Sequence, residues 1–230
     1  ETVGKVMGRS DQLASTTARL NLIVDDGGSI EELQRKVMAS AQASRAAYFD
    51  TAKAIAKMGA NAGAAFDTND EVIAFMEQVN KQFVIGGATA EEQKYAMVQL
   101  TQAMGAGALR GEELNSILEQ APGIARAIEQ YMGIAEGSIK TVAQDGKVTS
   151  EIVKNALFAV ADETNAKFES MPKTWAQIWT GMKNSALSAF SPILRQINQI
   201  ANTDDFQNTT NGILNALAGI AGALAVVFGL

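Results

Sequence analysis

ALRGEELNSILEQAPG, residues Ala108 to Gly123, is the stretch from which the fold reads outward. It follows the small residues Gly105, Ala106 and Gly107 and closes at Pro122. Leu114, Ile117 and Leu118 recur at the three- and four-residue spacing that places side chains on one helix face. Glu112 and Glu113 fall in the first turn, where carboxylates meet the positive end of the helix dipole. The stretch predicts a short amphipathic helix ended by a proline that opens the next one.

Downstream, Pro122 suits the first turn of a helix with Ile124 and Ile128 inward, ending near Gly133. A short helix from Ile139 to Ala143 should stop at the Asp145-Gly146 turn. Thr149 or Ser150 then caps a long helix whose buried stripe reads Val153, Leu157, Val160, Thr164 and Phe168. Met171-Pro172 separates this unit from residues 173–201. There Trp175, Ile178, Trp179, Met182, Ala186 and Phe190 mark an amphipathic helix, which Pro192 either kinks or restarts.

Upstream, three Ser/Thr-x-x-Glu units read as capping boxes: Ser29 with Glu32, Thr68 with Glu71, and Thr89 with Glu92. The helices they open carry Leu33, Val37, Ala41 and Ser44; then Val72, Met76, Val79 and Phe83; then Tyr95, Val98 and Met104. Between the first two, a helix continues or restarts near Tyr48 and runs past Ile55 and Met58 to Gly59. Gly86-Gly87 should close the second by a left-handed cap. In residues 1–28, Leu13 to Val24 reads as helix in preference to a short strand.

Composition agrees with the spacing. The 230 residues are 47% hydrophobic with only 3 Pro, and they favour helix over strand. The expected fold class is all-α: a multi-helix globular bundle leading into long amphipathic and apolar helices. Its expected divisions are an N-terminal segment 1–28, a helical module 29–170, amphipathic helices 171–205 and an uncharged apolar helix 206–230. No fixed-period repeat is visible, and the chain reads as an excerpt of a longer protein. One continuous helix would extend about 345 Å at about 1.5 Å per residue, but the sequence is punctuated far too often for that.

The same composition removes several chemistries. With 0 His and 0 Cys, the chain itself cannot supply Ser-His or Cys-His nucleophiles, His-containing zinc sites, or disulfides. A net charge of −6 without a basic stripe makes sequence-specific nucleic-acid binding an unpromising reading. The acid pairs Asp25-Asp26, Glu31-Glu32, Glu91-Glu92, Glu112-Glu113 and Asp204-Asp205 are adjacent in sequence, whereas glycoside hydrolysis needs carboxylates facing across a cleft. Capping explains three of the pairs. Asp67, Asn69 and Glu71 have calcium-loop spacing, but Val72 stands where glycine is required and Gln78 where glutamate is. Gly105, Gly107 and Gly111 imitate a phosphate loop without the following Lys-Ser/Thr. No cofactor and no metal is expected.

Two features keep alternatives open. Trp175 and Trp179, with Phe190 further along, either pack in the core or form a contact surface for a partner or membrane. Ile213 to Leu230, carrying Leu214, Leu217, Ile220, Leu224, Val227 and Phe228, has Asn215 as its single polar residue. It would make about 27 Å of helix, at the lower edge of spanning a bilayer. Burial in a homo-oligomeric bundle and insertion into a membrane are both consistent with it.

The letters add what chemistry does not. LRGEELNSILEQAPG (Leu109, Arg110, Gly111, Glu112, Glu113, Leu114, Asn115, Ser116, Ile117 through Pro122 and Gly123) resembles the signature of the tape measure proteins of tailed bacteriophages. AQASRAAYFD (41–50), Gln99 to Ala103, GKVTSEIVKNA (146–156) and DETNAKFESMPKTW (162–175) resemble the same family in the same order, whereas Tyr131, Met132 and Glu136 depart from its small loop residues. The resemblance implies a virion structural protein, not an enzyme. It would set tail tube length, occupy the tail lumen or tip, and assist genome delivery across the host inner membrane. Implied partners are further copies of itself, tail tube, tail-tip or baseplate proteins, and tail assembly chaperones in the host cytoplasm. The competing readings are a membrane-active, pore-forming helical protein and, less well supported, a cell-wall hydrolase.

Overall fold

The computed structural model describes residues 2–201. Helices follow one another along this length: α1 (Thr2–Asn21), α2 (Ile30–Ala43), α3 (Tyr48–Ala62), α4 (Asn69–Gly86), α5 (Ala90–Gly105), α6 (Gly111–Gln120), α7 (Pro122–Met132), α8 (Ile139–Gln144), α9 (Ser150–Ala159), α10 (Ala161–Ser170) and α11 (Trp175–Ala201). Among the described residues the extended backbone pairing amounts to one isolated antiparallel bridge, Ala108 with Thr149. The fold is an all-α multi-helix bundle.

Helix α4 occupies its centre, with α2, α3, α7, α9 and α10 packed around it. Its expected stripe of Val72, Met76, Val79 and Phe83 is buried, but so are Ile73, Phe75, Gln78, Asn80, Lys81, Gln82 and Val84 on other faces. Gly87 closes it in the left-handed conformation, as the glycine pair implied. The remaining pairings are α3 on α5, α7 on α9 and α1 on α11. Leu13 and Leu20 of α1 and Leu187, Leu194 and Ile197 of α11 belong to the same apolar core as α4.

Of the three expected capping boxes one closes reciprocally, and two form only the Ser or Thr half. Thr89 and Glu92 make the full reciprocal box. Ser29 Oγ accepts from Glu32 N at 3.0 Å, while the Glu32 carboxylate turns to Lys36 at 3.4 Å. Thr68 Oγ1 accepts from Glu71 N at 3.2 Å, while Glu71 Oε2 reaches one residue further back, to Asp67 N at 2.8 Å. A fourth such box opens α11, where Thr174 and Gln177 exchange bonds of 3.1 and 3.2 Å.

Two other expectations change, and two open readings resolve. The first segment is a helix from Thr2, with no strand. Tyr95 and Val98 face outward on α5, and Ala96, Met97, Leu100 and Ala103 fill the core beside Met104. The long helix expected over residues 150–168 breaks at Val160, which ends α9 and begins α10. The break re-aims α10 so that Thr164, Asn165 and Phe168 meet buried polar groups of α4. Finally, α11 runs through Pro192 as one helix. Among the described residues no helix is long and apolar enough to cross a membrane. The uncharged stretch 206–230 lies outside the described residues.

Glu71 titrates below the ordinary 4.5, first because it accepts from Asp67 N–H and then because Lys154 Nζ lies at 3.3 Å. A lowered carboxylate stabilises the fold above its ordinary pKa and loses that contribution as pH falls through the lowered value. Glu71→Gln should therefore lower Tm at neutral pH and flatten its decline below pH 4.5, as thermal unfolding across pH will show. Phe168→Ala should cost about 3–5 kcal/mol in urea unfolding because the ring is buried. Trp175→Ala, at an exposed site, should change stability by less than about 0.5 kcal/mol.

Candidate functional site

The stretches that carry the family resemblance lie far apart in sequence, and the fold brings them together at two junctions. At the first, the start of ALRGEELNSILEQAPG meets GKVTSEIV. Leu109 N donates to Val148 O at 2.8 Å, and Ser150 N donates to Gly107 O at 3.0 Å. Ser150 Oγ adds a bond to Met104 O at 2.8 Å. Leu109 and Val148 are buried beneath this short ladder. Gly146, left-handed at φ 70°, lies under Arg110: a Cβ there would come within 2.5 Å of Arg110 Nη2. The Asp145-Gly146 turn thus serves as the seat of an arginine as well as a chain reversal.

From this junction α6 extends with Leu114, Ser116 and Ile117 buried, Leu118 half-buried and Asn115 exposed. Glu112 and Glu113 occupy its first turn by position. Ala121 ends α6 and precedes Pro122, the first residue of α7, so the two helices share one corner. That corner rests on α4. Gly86 passes so close to Gln120 that a Cβ would stand 2.4 Å from its carbonyl oxygen, and a Cβ on Gly123 would meet Gln82 Oε1.

At the second junction AQASRAAYFD meets DETNAKFESMPKTW. Arg45 is the one non-glycine residue with positive φ (57°) among the described residues. Its Nη2 donates to Phe168 O at 3.3 Å and Met171 O at 3.0 Å, and its guanidinium lies 4.3 Å from the Phe168 ring centroid. The electrons of the ring face attract the cation, and Lys81 Nζ, 5.6 Å from the same centroid, adds a second charge. The α2–α3 loop is therefore held to the end of α10. Asn184 of α11 completes the junction: its Oδ1 accepts from Tyr48 N at 2.9 Å and its Nδ2 donates to Ala46 O at 2.7 Å. It caps α3, whose own N-cap, Ala47, has no side chain able to do so. Burial pushes the neighbouring Tyr48 phenol up to about 12.

These junctions fasten helices and assemble no reacting groups. Asp25, Asp26, Glu31, Glu32, Glu91 and Glu92 are exposed. The calcium-spaced set is occupied otherwise: Asn69 Nδ2 donates to Ile23 O, and Glu71 binds Asp67 N and Lys154. Among the described residues no group of three or more acids could hold a metal ion. Glu129, a buried carboxylate, accepts from Ile139 N at 3.1 Å at the start of α8.

A cleft of about 490 Å³ opens beside the second junction, between the end of α2 and the first half of α11, lined among others by Gln42, Arg45, Lys173, Gln177, Ile178 and Met182. Trp175 and Trp179 are neighbours on α11 of its lining residues Ile178 and Met182. Core packing does not hold for them: Trp175 is 79% and Trp179 48% exposed, with Ile178 at 36% and Met182 at 49%. Phe190, three turns on, packs partly against the core. Leu214, Leu217, Ile220, Leu224, Val227 and Phe228 lie outside the described residues.

A family model described as tape measure protein matches residues 4–199. No curated protein and no solved structure matches the chain.

The corner on α4 yields a test. Gly86→Ala should destabilise the protein by about 1–3 kcal/mol, because the new methyl meets backbone and either α6 or α4 must move. Gly123→Ala should cost less, since Gln82 can swing aside at the loss of its bond to Thr164. Equal costs in urea unfolding would contradict this account of the corner.

Proposed function

The chain belongs to the tape measure protein family, and from that membership we propose a specific place for it within the tail. It occupies the lumen or tip of a bacteriophage-type tail, belongs to the molecule that sets tube length, and assists genome passage into the host. The carrying observation is the family match over residues 4–199, which spans nearly all of the described helices. Tape measure proteins are structural components of phage tails, not a family of enzymes.

Within that role, the described bundle is a folded module and not the ruler. A ruler needs length per residue, and a continuous helix supplies about 1.5 Å for each. Among the described residues, ten α-helices folded about α4 surrender most of it. The module is better suited to contact: with tail tube, tail-tip or baseplate proteins, with assembly chaperones before the tube closes, and with further copies of itself. Sequence-specific nucleic-acid binding forms no part of the reading, since the chain is acidic overall, at −6. Membrane entry on ejection, and the alternative of a pore-forming helical protein, rest on residues 213–230.

Antibody raised against the folded module should label purified tails, and tails free of the protein would overturn the tail reading. Tandem duplication of residues 2–201 in the parent tail protein separates module from ruler. As part of an extended ruler the second copy would lengthen tails by about 300 Å, at about 1.5 Å per residue. Tails of unchanged length in electron micrographs are expected.

A further inference from the structure

Helix α11 carries one continuous apolar stripe. Trp175, Ile178, Trp179, Met182, Ala186, Phe190, Ile193 and Ile197 recur at three- and four-residue spacing along one face. The bundle uses only part of it. Ile197 is buried, and Ala186, Phe190 and Ile193 pack against the core, but the four residues before Ala186 face outward. The cleft of about 490 Å³ runs beside this half of α11, which Gln42 ties to α2 by donating to Gly181 O at 3.2 Å and Ser185 Oγ at 3.1 Å, with Arg45 in the same wall.

The charges that α11 and the residues leading into it carry have one sign. Between Met171 and Thr203 the sequence holds Lys173, Lys183 and Arg195 and no carboxylate, in a chain of net charge −6. Lys173 lines the cleft, and Lys183 follows Trp179 by four residues on the same face, with both lysines exposed. Arg45 already serves Phe168 and Met171, and Arg195 lies near Glu31 and Gln34, so the two lysines supply the charge on offer.

From the open stripe and its lysine borders, we propose that the first half of α11 is a docking groove for an acidic amphipathic helix of a partner protein. The partner presents an apolar ridge at i, i+3, i+4 and i+7 with carboxylates along its edges. Its ridge enters beside Ile178 and Met182, the tryptophans cover it, and its carboxylates face Lys173 and Lys183. A second copy of the same stripe would bring lysine against lysine, which charge disfavours. A bilayer surface would lie over the protruding tryptophans and leave the recess unfilled, whereas a ridge of side chains fills it. The inference stands apart from the chain's place in the tail, which the following experiment does not test.

Trp175 and Trp179 are the chain's 2 tryptophans, so intrinsic fluorescence of the whole protein reports on this groove alone. A synthetic helical peptide with leucines at i, i+3, i+4 and i+7 and glutamate flanks should shift the emission to the blue and saturate. Binding should weaken at high ionic strength and by about tenfold or more in Lys173→Glu/Lys183→Glu. Both substitutions are exposed and should leave thermal unfolding unchanged. Three results would overturn the proposal. The glutamate peptide fails to bind, or a control with lysine flanks binds as well. Emission is already blue without peptide, whether at every concentration (the chain covers itself) or only at high concentration (copies cover one another). Vesicles with anionic lipid shift the emission while the peptide does not.

Discussion

A helix packed on most of its faces leaves many of its polar side chains without solvent to satisfy them, and α4 is such a helix. Gln78, Asn80, Lys81 and Gln82 are buried along it, and each must find a partner inside the protein. The neighbours supply them. Asn165 Oδ1 accepts from Lys81 Nζ at 2.8 Å and from Gln78 Nε2 at 3.2 Å; Thr164 Oγ1 accepts from Gln82 Nε2 at 2.8 Å. Glu77 neutralises Lys81 at 2.6 Å, and Ser44 lies at the limit of reach of Asn80, at 3.5 Å. Apolar packing alone would let α10 slide or rotate on α4. The polar contacts specify one position, which accounts for the break at Val160 that brings Thr164 and Asn165 to bear.

The same logic extends outward. Once α10 is placed, its last carbonyls and the ring of Phe168 receive Arg45, which holds the loop between α2 and α3 in a conformation few non-glycine residues adopt. That loop in turn presents Ala46 and Tyr48 to Asn184, and so positions the middle of α11. On the other side, the α6–α7 corner sits on α4 through Gly86. Both junctions built from the family's stretches therefore report to the central helix. The resemblance in letters marks the contacts by which the bundle is fastened together.

Much of this was legible in advance. Helix starts at Ser29, Thr68, Thr89 and Thr149, the stop at Gly87, and the stripes of α4 and α7 follow from capping chemistry and period, which are local. What escaped was set at long range. The acids Asp162 and Glu163 in the first turn of α10 are a local start signal next to Val160, but the position α10 takes is matched to groups on α4. The sequence of α11 does not say which half of its stripe is covered, because Phe190 and Trp179 have the same period and differ only in what the bundle sets beside them. No glycine announces the left-handed backbone of Arg45: locally Arg45 N and Ala46 N close α2 on Gln42 O and Ala41 O, while the guanidinium is held by a ring and two carbonyls more than a hundred residues away. The site was legible as letters through the resemblance; that its stretches touch in pairs was not.

The pairing of α11 with α1 has a mechanical side. Ser10 Oγ donates to Leu194 O at 2.7 Å, and Leu13 and Leu20 share a core with Leu187, Leu194 and Ile197. The two ends of the described chain thus lie in one layer on the outside of the bundle. Tension entering along the polypeptide after residue 201 reaches α11 first and loads that outer layer before it is felt at α4. Under traction the molecule should yield at its rim, shedding one pair of helices while the centre keeps its shape.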